Sequence, residues 1–136
     1  MRRLARKTLV RHVLVAILAI GLVLGFAAVH AQFSPMHRWN RAFGDASLVL
    51  ISLSMGLGPL TRFLRAAVML LPFRREIGIQ GCLLVVVHAA IVLVGWVEWD
   101  LMRLFGFEWH PDLLAYVMFQ HGFGLANAIG IAALVL

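Results

Sequence analysis

A chain of 136 residues that is 62% hydrophobic and 13% charged, with mean hydropathy +0.94, excludes an ordinary water-soluble domain. A net charge of +6 and a pI of about 11.4 would suggest nucleic acid in a soluble protein, but here the twelve Lys/Arg flank apolar segments, as membrane topology signals do. Nucleic-acid patterns, phosphate-binding glycine loops, HExxH zinc spacing and internal repeats are absent from the sequence. The single cysteine, Cys82, cannot form an internal disulfide and reads as a small packing residue.

Residues 1–12 carry five positive charges and no acid, and they precede the uncharged run 13–29. Arg2-Arg3 and Val29-His30-Ala31 resemble pieces of a secretion signal. The apolar run exceeds a signal core, however, and the arginine pair lacks the rest of a Tat motif, so a retained first transmembrane helix is predicted. Ser34-Pro35 marks the next helix start. There Trp39 and Phe43 mix with Arg38 and Arg41 as in an interfacial turn, which lengthens the short apolar run 46–60. Ser47, Ser52, Ser54, Gly56 and Gly58 suit that run to close helix packing, and Pro59 can kink or stop it.

Four arginines between Arg62 and Arg75 surround AAVMLLP, predicting a loop that dips into the headgroup region. The run 77–97 is uncharged and spans about 31 Å as a helix, enough to cross a bilayer core. Trp96 and Trp99 form an aromatic belt at its end. Loop 98–112 holds four of the six acids, and His110-Pro111-Asp112 then predicts a fourth helix over 113–136. The expected class is therefore an all-α integral membrane bundle of about four transmembrane helices, in a multi-pass protein of the bacterial inner (cytoplasmic) membrane. Lys/Arg divide nine against three between alternate sides, which places both termini in the cytoplasm. The last helix stops at Leu136 without a polar anchor, which reads as a truncated chain or a fragment of a longer bundle. The basic N-terminus and first helix occupy 1–33, and the remaining bundle 34–136.

His88 falls inside the third predicted helix, where a ring nitrogen is costly without a partner. Gly81 and Gly95, seven residues either side, share its helical face and would leave it flat enough for a planar ligand. His121 lies at matching depth on the fourth predicted helix, with Gly124 and Ala128 on its face. A metal-porphyrin needs facing imidazoles at similar depth, small neighbours and nearby cations. The bland reading of His88 is a histidine hydrogen-bonded to a neighbouring helix. For His121 that reading is stronger, since Gln120 and Asn127 show polar packing groups on the same helix. His12, His30, His37 and His110 sit at membrane edges or in loops. Of these, His30, His37 and His110 share the outer side with Asp100, Glu108 and Asp112, the makings of a weak metal site. Arg74 and Arg75 serve topology and could also attract an acidic partner or a propionate.

Gly44, fifteen positions before Pro59, then Pro59-Leu60-Thr61-Arg62, then Arg74-Arg75-Glu76-Ile77-Gly78-Ile79, then His88 thirteen after Arg75, together resemble the ferric reductase-like transmembrane domain family. Its bacterial branch includes the haem-bearing membrane subunit of the periplasmic methionine sulfoxide reductase system. The resemblance covers roughly 35–136 and corresponds to the N-terminal half of the family's domain. It implies a b-type haem carrying electrons across the membrane from a cytoplasmic flavin or quinol donor to an outer acceptor, with His88 as an axial ligand. It implies a cytoplasmic flavoprotein reductase or quinol on one side and a periplasmic redox partner on the other. The family's other ligands lie on later helices. Where two-haem members carry a second histidine on this helix, the chain has Leu101 and Met102, so at most one ligand is expected here.

Within this reading, Gly81 and Gly95 make room for the macrocycle, and Arg74 and Arg75 stand near the inner surface. An oxidoreductase role would be that of an electron-transfer subunit. The rival is a truncated or degenerate non-catalytic membrane scaffold without haem. A small transporter is disfavoured because no acid is expected within any helix to couple an ion.

Overall fold

The computed structural model of the chain describes residues 2–118. In chain order it has α1 (Arg2–Val29), α2 (Pro35–Leu60), α3 (Arg65–Val68), a 3-10 turn (Leu71–Phe73) and α4 (Arg74–Gly95). These are followed by α5 (Leu101–Leu104) and two strands, β1 (Phe107–His110) and β2 (Ala115–Met118). Among the described residues, three segments are long and apolar enough to cross a membrane: Arg6–Val29, Pro35–Leu60 and Arg65–Gly95. The chain divides into one unit over Met1–Ile91 and a second over Val92–Leu136.

The first unit packs through apolar residues at four- and seven-residue intervals. Val15, Ala19, Val23 and Ala27 form the buried stripe of α1, and Ala42, Ala46, Leu50 and Leu57 that of α2. They meet in two clusters, one completed by Ile77 of α4. Large apolar side chains point the other way: Ile17, Leu48, Met55, Leu83 and Val86 are all exposed. Large apolar side chains on the outer surface of a bundle are suited to a lipid surrounding.

The second face of α2 packs on α4. Gly44 meets His88, Ile51 meets Gly81, and Gly58 meets Arg74. Each step of seven residues up α2 is thus matched by a step of seven down α4, the repeat of an antiparallel helical seam. Ser54 pins one end of it: its Oγ donates to the Arg74 carbonyl at 3.0 Å, and Arg74 Nε donates to the Ser54 carbonyl at 3.0 Å. Pro35 occupies the first turn of α2 as the sequence indicates. Ser34 Oγ, however, bonds His37 Nδ1 at 2.9 Å instead of capping the helix. Pro59 lies in the last turn, and Thr61 Oγ1 closes that end on the Gly58 carbonyl at 2.7 Å.

Charge separates along the bundle. Arg11 Nη1 donates to the Pro72 carbonyl at 3.2 Å and stacks over Phe73, so the basic start of α1 shares an end with the 62–75 connection. Toward the opposite end, Arg38 Nε donates to the Ala27 carbonyl at 2.7 Å, Arg41 lies over Phe33, and His30 Nε2 pairs with Asp45 Oδ2 at 2.7 Å.

Two expectations need correction. Acids do lie within helices: Asp45 is inside α2, and Glu76, only 4% exposed, is in the first turn of α4 with no hydrogen-bond partner for Oε2. The fourth helix does not begin at Leu113. Residues 111–114 form a four-residue turn with Leu114 at φ 47°, and Ala115–Met118 pairs antiparallel with Phe107–His110. Aromatic and β-branched residues favour that pairing: Trp109 faces Tyr116 edge-on at 5.3 Å, and Glu108 faces Val117. The rest of the expected helix, 119–136, lies outside the described residues.

Candidate functional site

His88 is half-buried on α4, seven residues or about 11 Å before Gly95 at the helical rise. Its Nδ1 stands 3.0 Å from the backbone carbonyl oxygen of Asn40 on α2. A carbonyl only accepts, so Nδ1 carries a proton, and in the neutral ring Nε2 then holds the lone pair. This is the arrangement by which outer-shell groups prepare an imidazole to bind a metal through its other nitrogen.

Gly44 makes the approach possible. A Cβ at that position would stand 3.2 Å from His88 Cε1 and 3.3 Å from Nδ1, so even alanine would require the ring to give by a few tenths of an ångström. Asn40 also leaves its side-chain Oδ1 buried without a hydrogen-bond partner. The ring is therefore clamped along its Nδ1/Cε1 edge by backbone on one turn of α2. Packing, not a flexible side chain, sets its orientation.

The other expected site residues are placed differently. Gly81 does share the His88 face, but a Cβ there would lie 2.9 Å from Ile51 Cγ1 and 3.2 Å from the Ile51 backbone nitrogen. The flat surface is thus occupied by α2 and offers no space to a macrocycle at Gly81. Gly95 is the last residue of α4 and is exposed. Arg74 and Arg75 sit about 20 Å from His88 along the same helix, beyond the reach of propionates on a porphyrin ligated there. Arg74 is bonded to Ser54, and Arg75 is exposed. His121 lies outside the described residues.

Each of His30, His37 and His110 has a partner close to it in sequence or on the next helix. His30 pairs with Asp45, His37 with Ser34, and His110 Nδ1 stands 3.9 Å from Asp112. Among the described residues there is no group of three or more His, Cys, Asp or Glu that could hold a metal ion. Sequence reasoning missed Asn40, the burial of Glu76 and the His30–Asp45 pair, and it read Ser54 only as a small packing residue. The matching seven-residue steps, Gly44, Ile51 and Gly58 against Arg74, Gly81 and His88, were the available signal for the seam.

No family model, curated protein or solved structure matches the chain.

Proposed function

We propose that the chain is a b-type haem protein of the bacterial inner membrane, with both termini cytoplasmic, which carries electrons from a cytoplasmic-side flavin or quinol donor to an outer-side acceptor. The observation that carries this reading is the His88 clamp, an intramembrane imidazole whose Nδ1 proton is committed to the Asn40 carbonyl. Its Nε2 is left as the ligating atom. One oriented imidazole is the donor that supports haem ligation there. Haem would supply one-electron redox chemistry, tuned by ligand, burial and nearby charge. Asn40 fixes the tautomer, Gly44 provides the recess, and His121 or a residue outside this chain supplies the second ligand. Twelve residues, about 20 Å of helix, separate Arg75 from His88, so no propionate role is assigned to Arg74 or Arg75.

Proteoliposomes loaded with reduced flavin and exposed to ferricyanide outside test the transfer. Reoxidation faster than in protein-free vesicles and in His88→Ala vesicles is expected. Equal rates in all three would sink the proposal. The packed Gly81 face favours a second reading, a non-catalytic membrane scaffold in which His88 ties α4 to α2 and binds nothing else. That protein would be colourless and would give equal rates.

A further inference from the structure

The connection between α2 and α4 has features that the electron-transfer reading leaves unused. Arg74, Arg75, Ser54 and Gly78 line the mouth of a groove of about 750 Å³, and its wall runs on along Ile79, Leu83 and Val86. We infer that this groove binds an anionic phospholipid from the leaflet that holds the α2–α4 connection. The headgroup phosphate lies on the arginines, and one acyl chain lies along α4.

Charge selects the headgroup. Two arginines and no acid line the groove; Glu76, the nearest acid, is buried and is not among the lining residues. Arg74 is held in place through Nε by the Ser54 carbonyl, which fixes the guanidinium at the mouth, while Arg75 is exposed beside it. A neutral quinone ring would gain little from two arginines; a phosphate gains charge-assisted hydrogen bonds.

Length selects the chain. From Arg75 to Val86 the helix rises about 17 Å. That is close to half of a bilayer core about 30 Å thick, the depth one acyl chain occupies. The wall is apolar over that distance and open to its surroundings, with Ile79 37%, Leu83 54% and Val86 65% exposed.

The neighbouring segment supports headgroup depth independently. Phe63, Val68 and Met69 are exposed between Arg62, Arg65 and the double arginine, as in a chain lying in an interface. On the other side of the 3-10 turn, Arg6, Lys7 and Arg11 with Phe73 line a second groove of about 640 Å³. Basic pockets at one end of a helical bundle are the sequence-readable form of acidic-lipid recognition.

The test uses the full chain in phosphatidylcholine nanodiscs doped with phosphatidylglycerol, followed by mass spectrometry of the lipids retained on extraction. Retention of phosphatidylglycerol over phosphatidylcholine is expected. It should fall about fivefold in Arg75→Gln, the loss expected for one basic residue at an anionic surface. It should also fall in Ile79→Trp, which fills the groove and leaves the charge in place. Equal retention of the two lipids overturns the proposal, as does enrichment unchanged in both variants. Displacement by glycerol 3-phosphate as effective as by the lipid also overturns it and leaves a simple phosphate site.

Discussion

Replacing His88 with alanine is expected to abolish haem binding while leaving the helices assembled. The two effects have different magnitudes. Removing the ring deletes one hydrogen bond between α4 and α2, worth about 1 kcal/mol. The apolar clusters that join α1, α2 and α4 remain intact. Loss of an outer-shell partner alone costs roughly 10- to 100-fold in metal affinity, and loss of the ligating ring costs more. Haem content measured by pyridine haemochrome should therefore collapse in a variant that still purifies as a helical membrane protein, and added imidazole should restore part of it. Full haem content in His88→Ala would remove His88 from the ligand set.

Gly81→Ala is expected to destabilise the bundle by about 1–3 kcal/mol relative to Gly56→Ala, the range for overpacking a tight contact. The same residue change is made twice on neighbouring helices, so intrinsic helix preference largely cancels. At Gly81 the new methyl would stand 2.9 Å from Ile51 Cγ1, 3.2 Å from the Ile51 backbone nitrogen and 3.3 Å from Leu50 Cβ; at Gly56 it meets nothing within 4 Å. The Ile51 side chain can rotate away, but its backbone cannot, so the seam itself must widen. Thermal unfolding in detergent reads the difference. One turn of the seam also sets the Asn40 carbonyl against His88, so Gly81→Ala should weaken haem retention as well. Equal melting temperatures for the two variants would show that α2 and α4 do not pack through Gly81.

Much of this arrangement was legible in the sequence. The start of α2 at Ser34-Pro35, the apolar lengths of three helices and the position of His88 within α4 follow from proline, charge and run length. The shared face of Gly81 and His88 was also legible, because a seven-residue step nearly closes two helical turns. What fills that face was not. A glycine can admit a cofactor or a neighbouring helix, and only the register of α2 against α4 decides in favour of Ile51.

Two other misreadings share a cause. Apolar residues at 113–118 fit a membrane helix as well as a strand, and the choice turns on Trp109 meeting Tyr116 across a turn. Glu76 follows two arginines at the start of a helix, and nothing in that order shows that it is only 4% exposed. Local sequence carries no signal for either contact.

The measurement that bears most directly on the central claim is a dithionite-reduced minus oxidised visible spectrum of the purified chain in detergent, with pyridine haemochrome quantitation. If His88 Nε2 is a haem ligand, the spectrum shows sharp reduced α and Soret bands at close to one haem per chain. A featureless spectrum from protein supplied with haem would contradict the claim and leave His88 as a tether between two membrane helices.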